Sequence, residues 1–347
     1  MWNPLLEHSE PEPGRGWAWR CTQLGVFFLP FIPVLGALLL VASSARSTYC
    51  HGARMLARPL NRGFALLGAL MLLVSLWGEY RGEALLGLVH FLPYFWLLAA
   101  QTELTGQPQQ LRQLAQIIAL SAVPLVTIGL GELYLGWSAP LLWGGILPWP
   151  VSAFGTPPGR MASLFGYANN LALYLCVAFV MALGLWSAHW RTRQLKPLAL
   201  WTVVACISTL GIILTQSRSA WGLMALSALV TALYLRWTLV VGAVMGFAAA
   251  VLGAAFSPVG QAPLRQMIPS FLWTRLTDQN FPDRPLPTLR ITQWRFTLDL
   301  MRQRPLQGWG LRNFTPLYEA HTQVWMGHPH NLFLMLGAEI GLPLTFF

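Results

Sequence analysis

Long apolar runs separated by short polar or proline-rich connections dominate this chain. Runs near 24–43, 63–78, 84–101, 114–135, 164–187, 198–216, 219–235 and 237–256 approach the about 20 residues that a helix needs to cross a bilayer, and another begins near 331. In hydrocarbon every backbone N–H and C=O must be satisfied within the segment, so runs of this length predict helices. The expected fold class is all-α, a polytopic transmembrane helical bundle. The first run holds Pro30 and Pro33, which allow either one kinked span or a tight hairpin of two. That choice decides which side the N-terminus occupies.

One polar interval breaks the rhythm. Residues 257–330 are too many for a structureless linker. Inside it, TLRITQWRFTLDLMRQRP places Ile291, Trp294, Leu298 and Met301 on one helical face, and Pro305 with GWG at 308–310 closes the pattern. An amphipathic helix lying against the outer membrane face of the bundle is expected here. The interval thus reads as a large, partly helical outer loop.

Composition supports a membrane protein. The chain of 347 residues is 55% hydrophobic and 10% charged, with a mean hydropathy of +0.52, whereas soluble domains carry about 25% charged residues. A net charge of +10 in so apolar a chain excludes a basic nucleic-acid binder. Anionic lipid headgroups or an anionic substrate are the expected partners. Arg46, Arg54, Arg58 and Arg62 fill the connection 44–62, and Arg191, Arg193 and Lys196 fill 188–197. Both connections are expected to be cytoplasmic, which places 136–163, the turn at 216–219 and 257–330 on the outer side. Trp137, Trp143, Trp149, Trp190, Trp201 and Trp237 fall at span ends, as in an interfacial belt. The acidic, proline-rich start does not resemble a cleaved signal peptide, so the first run is expected to be retained. Cys21, Cys50, Cys176 and Cys206 form no metal-binding spacing and read as small packing residues.

Candidate chemistry gathers on the expected outer side. Arg160 precedes Asn169 and Asn170 in GRMASLFGYANN, Arg218 lies in LTQSRSAW between two spans, Arg290 heads the amphipathic helix, and His328 and His330 open GHPHNLFLMLGAEIGLP. Each has a structural alternative. Arg160 could anchor a helix to headgroups, Arg218 could snorkel, and the asparagines could be caps or interhelical hydrogen bonds. Arg295 with Asp299 four residues on reads as a surface ion pair, and Arg302 and Arg304 as charges near a helix end. Arginine offers a fixed fork of donors to phosphate oxygens and stays charged, while histidine can take a proton near neutrality. Together these parts suit group transfer from a lipid diphosphate to a hydroxyl. No DxD and no paired outer carboxylates supply metal ligands, so a metal-independent reaction without cofactor is expected.

LTQSRSAW, the R-x3-W of Arg290 and Trp294 followed by RPLQGWG, and HNLFLMLGAEIGLP resemble the O-antigen ligase and polymerase family of bacterial envelope proteins. His330-Asn331 stands the family's distance before Gly341. The stretch from Arg160 to Asn169 resembles the family's R-then-GNPN segment, with Tyr167 and Ala168 in place of Asn-Pro. The resemblance spans roughly 159–347 and divides the chain into an N-terminal extramembrane segment, 1–23, a transmembrane bundle, 24–197, and a ligase-like region, 198–347. It implies an inner-membrane enzyme that moves a glycan from undecaprenyl diphosphate to lipid A core at the periplasmic face, without metal or nucleotide. His330 would be the base, and Arg218 and Arg290 the catalytic arginines. Arg160, Asn169, Trp294, His328 and Asn331 would bind substrate, and Glu339 would orient a partner. The family carries further spans after the His-Asn helix, whereas this chain stops at Phe347; C-terminal spans are expected to be missing.

Two other functions fit the same motifs. A Wzy-type polymerase differs from a ligase only in its acceptor, and ligation to a protein would use the same chemistry. Cyanobacterial relatives in this superfamily are described as bicarbonate-transport-related. A transporter site, however, would be expected near the bilayer midplane, whereas the cations here gather at the rim.

Overall fold

The computed structural model describes residues 15–139, 149–258, 260–270, 273–274 and 285–347. The described residues are helical with no strand, and the chain is an all-α polytopic membrane protein. Trp143 and most of the N-terminal segment lie outside the described residues, as does part of the interval 257–330. Among the described residues, six helical segments are long and apolar enough to cross a membrane: Pro59–Leu76, Arg81–Leu104, Pro108–Leu135, Ala168–Arg191, Leu195–Leu214 and Thr238–Phe256. Contacts group the chain into two compact units that alternate along the sequence. One comprises Met1–Ser43 and Thr105–Asn280, the other Ser44–Leu104 and Phe281–Phe347.

The first unit starts with α1 (Arg15–Phe28) and the beginning of α2 (Pro33–Ala57). The Pro30/Pro33 break makes two helices rather than one kinked span. Gly36 packs against Leu29 and the Gly25 carbonyl so closely that a Cβ at Gly36 would stand 2.6 Å from Leu29. The core lies where α6 (Pro108–Leu135), α7 (Ala168–Arg191) and α8 (Leu195–Leu214) meet. Pro108 suits the first turn of α6, where no N–H is needed, and Gln107 with Gln110 forms a capping box. Val126, Leu171, Leu175 and Ile212 are fully buried there, and Gly211 lets α8 approach Leu175 and Val126. Trp201 belongs to this packing at 3% exposure, not to an interfacial belt. Helices α9 (Arg218–Tyr234), α10 (Thr238–Phe256) and α11 (Gln261–Met267) complete the described part of the unit.

The second unit holds the rest of α2 with α3 (Pro59–Leu76), α4 (Arg81–Leu88) and α5 (Leu92–Leu104). It also holds α12 (Arg290–Gln303), α13 (Phe314–Thr322), α14 (Leu332–Glu339) and α15 (Leu342–Thr345). The predicted amphipathic helix is α12, but its packed face differs from the apolar stripe. Gln293, Thr297 and Leu300 are buried, whereas Ile291 and Leu298 stay exposed. The polar pair is hydrogen-bonded in part: Thr297 Oγ1 donates to the Gln293 carbonyl at 2.6 Å and Gln293 Nε2 to the Thr288 carbonyl at 3.3 Å, while Gln293 Oε1 is buried without a hydrogen-bond partner among the described residues. Asp299 pairs with Arg302 at 3.0 Å rather than with Arg295. The run from 331 is not one continuous helix, because α14 ends at Glu339 and Gly341 adopts φ +81° before α15.

Candidate active site

In the first unit the structure gathers Arg160, Asn169 and the turn that leads to Arg218. Arg160 is 8% exposed. Its Nε donates to the Thr215 carbonyl at 2.8 Å, and its Nη2 to Asn169 Oδ1 at 2.7 Å. Met161 N–H donates to the Leu214 carbonyl at 3.0 Å, and Gln216 Nε2 to the Gly159 carbonyl at 3.2 Å. The 159–161 stretch is therefore sewn to the α8–α9 turn, and Arg218 opens α9 directly after it, half-buried. A guanidinium whose fork is tied to a carbonyl and an amide is held in one geometry.

Glu132, in the last turn of α6, holds the loop that carries Arg160. It is fully buried, and its Oε2 accepts from the N–H groups of Ala162 and Ser163 at 2.9 and 2.7 Å. Ser163 Oγ donates to the Leu125 carbonyl at 2.8 Å. Sequence reasoning passed over this function of Glu132. The available signal was a carboxylate inside an otherwise apolar run, which is costly without partners.

In the second unit Arg290, Trp294, His328, His330 and Asn331 lie together. Arg290 is the first residue of α12, and Trp294 follows one turn later. The Trp294 indole N–H donates to the Pro329 carbonyl at 2.9 Å, fixing the backbone between the two histidines. Their rings meet edge to face, with centroids 4.4 Å apart. His330 takes a left-handed backbone with φ +55°, a conformation rare for residues other than glycine and one that re-aims the side chain before the helix starts. Asn331 then caps α14, its Oδ1 accepting from the Leu334 N–H at 3.2 Å. The His330 pKa is lowered, first by desolvation among the surrounding groups and then by the charges of His328 and Arg290. His330 is exposed, and the lowered pKa favours its neutral imidazole.

Glu339 organises the opposite end of α14. At 3% exposure, its carboxylate accepts from the backbone N–H groups of Arg312 and Phe314. The Gly310 and Trp309 N–H groups donate to the Glu339 and Ala338 carbonyls at 2.8 and 2.9 Å. Burial raises the Glu339 pKa to about 7. Gly308, at φ +68°, passes so close to Glu339 that a Cβ there would meet its backbone at 2.5 Å. The GWG motif is thus the turn that clasps the end of the His-Asn helix. Among the described residues no group of three or more His, Cys, Asp or Glu could hold a metal ion.

Motif order and the His330 geometry converge on the family found by comparison. Residues 203–347 match the family model described as O-Antigen ligase. The matched stretch includes Arg218, Arg290, Trp294, His328, His330, Asn331 and Glu339, and leaves Arg160 and Asn169 outside it. No curated protein matches the chain. With its apolar helices, the O-antigen ligase region supports a multi-pass membrane enzyme of the O-antigen ligase and polymerase class. Glycosyl transfer and glycan or lipid-linked substrates follow from that class in general terms.

Proposed function

We propose that this protein is a ligase-type glycosyltransferase of the bacterial inner membrane, acting at the periplasmic face. It moves a glycan from undecaprenyl diphosphate to an acceptor hydroxyl, with lipid A core as the acceptor that the family resemblance favours. The observation that carries this reading is His330, kept neutral beside the permanent charge of Arg290 within an O-antigen ligase region. His330 takes the proton of the acceptor hydroxyl as its oxygen bonds to the anomeric carbon. The bond from that carbon to the diphosphate breaks, and the departing oxygen carries the electron pair and negative charge. Arg290 and Arg218 stabilise that charge, and Arg160, positioned by Asn169, serves as a further diphosphate ligand. Trp294, His328 and Asn331 shape the acceptor side through the backbone around His330. Neutral histidine and arginine can perform each of these steps without a metal.

The test is glycan transfer in membranes from an undecaprenyl diphosphate-linked donor to lipid A core, with wild type beside His330→Ala and Arg218→Ala, and with EDTA added. The expected result is transfer that survives EDTA and is lost in both variants. Glycan elongation without transfer to lipid A core would move the assignment to a polymerase. Bicarbonate uptake without either product would overturn the enzyme reading.

A further inference from the structure

A cavity of about 480 Å³ lies between the second half of α2, α3 and α5, wholly within the second unit. That volume falls in the ~300–1,000 Å³ range of ligand sites. Small residues make the room: Gly52 on α2 and Ala65, Gly68 and Ala69 on α3 face Phe95, Trp96 and Ala99 on α5. Two polar side chains line the cavity, and both are satisfied within the protein. Thr48 Oγ1 donates to the Ser44 carbonyl at 2.8 Å and receives the Trp96 indole N–H at 3.0 Å, and Asn61 Nδ2 donates to the Met55 carbonyl at 2.9 Å. The interior therefore suits a chain with nothing to hydrogen-bond.

One end of the cavity is cationic. Met55, Leu56 and Asn61 line that end, and the α2–α3 corner joining them carries Arg54, Arg58 and Arg62, all exposed. Arg62 Nε donates to the carbonyl of cavity-lining Leu56 at 2.8 Å. Arg58 lies 2.7 Å from Glu103, one turn of α5 beyond cavity-lining Ala99. Glu103 balances one of the three charges, and the corner stays positive. An apolar slot with a basic mouth matches an amphiphile with a negative head.

We propose that this cavity binds an anionic phospholipid, with an acyl chain among α2, α3 and α5 and the phosphodiester on Arg54 and Arg62. None of the residues proposed to act in glycan transfer contributes to the cavity. The lipid site therefore stands or falls independently of that function.

The test uses the full chain purified in neutral detergent, with native mass spectrometry and thermal melting as readouts. The probes are phosphatidylglycerol, phosphatidylcholine, undecaprenyl phosphate and inorganic phosphate. Phosphatidylglycerol should remain bound and raise the melting temperature, with about tenfold tighter apparent binding than phosphatidylcholine. Arg54→Gln with Arg62→Gln should bring the two phospholipids to parity, and these residues are exposed enough to change without unfolding the helices. Ala65→Phe, which fills the cavity, should remove the rise with either phospholipid. Equal effects of phosphatidylglycerol and phosphatidylcholine on wild type would overturn the proposal. So would an undecaprenyl phosphate effect without a phosphatidylglycerol effect, or a preference that persists in the double arginine variant.

Discussion

Trp294 and Pro329 are joined by an indole N–H to carbonyl hydrogen bond of 2.9 Å, so the first turns of α12 set the backbone on which both histidines stand. The R-x3-W spacing places Arg290 and Trp294 on one side of that helix, one for charge and one for position. Trp294→Phe keeps an aromatic ring but removes the donor. The loss of one hydrogen bond, about 1 kcal/mol, should loosen residues 328–330. Hydrogen exchange at those amides should rise, and kcat/KM for transfer should fall by about fivefold. Unchanged exchange with lost activity would instead make Trp294 a substrate contact.

The His330 environment makes a prediction about pH. A base must be neutral to accept a proton, and desolvation, His328 and Arg290 hold its pKa below the usual 6.5. The acid limb of the kcat/KM profile should lie below that value, leaving full activity at neutral pH. His328→Asn removes one neighbouring charge, so the His330 pKa should rise toward its ordinary value and the limb should move to higher pH. A limb that stays in place would show that His328 does not act electrostatically on the base.

Arg160 is held by geometry that a lysine cannot reproduce. Its Nε and Nη2 reach the Thr215 carbonyl and Asn169 together, whereas an ammonium is a point donor on a flexible stem. Arg160→Lys should destabilise the protein by about 1.5–3 kcal/mol, read as a lower melting temperature in detergent. Asn169→Ala should cost less, because Asn169 is exposed and water can replace its amide. Equal melting temperatures for wild type and Arg160→Lys would mean that the two hydrogen bonds add nothing to stability.

Much of this arrangement was legible in the sequence because apolar periodicity and special residues report local physics. Span-length runs gave the helices and His330-Asn331 stood at a helix start, while Pro30 with Pro33 left open the choice between one kinked span and the two helices α1 and α2. Burial of polar residues was harder to read. Gln293 and Thr297 look like the solvent face of α12, yet that is the face that packs, and their hydrogen bonds close on carbonyls four and five residues upstream. Glu132 is a different case, since its partners, Ala162 and Ser163, lie 30 and 31 residues away. Asp299 chose Arg302 over Arg295 although both spacings suit a helix. Periodicity describes one element at a time, while these choices depend on what packs against it.

Glu339 makes stability itself depend on pH. An exposed carboxyl in the unfolded chain titrates near 4.5, whereas burial lifts the folded value to about 7. The folded state therefore holds the proton more tightly, so the contribution to stability is full below the unfolded pKa. It is lost as pH rises through the folded value. The whole difference amounts to about 3 kcal/mol. Glu339→Gln keeps an oxygen acceptor for the Phe314 N–H and cannot ionise. Its melting temperature in detergent should match wild type near pH 4.5 and exceed it at pH 8, with the gap opening between those values. The Gly308–Gly310 turn should also survive in this variant, because it is held by the backbone carbonyls of Ala338 and Glu339. A gap independent of pH would mean that the carboxylate stays ionised when buried, with the Arg312 charge and the backbone donors outweighing desolvation.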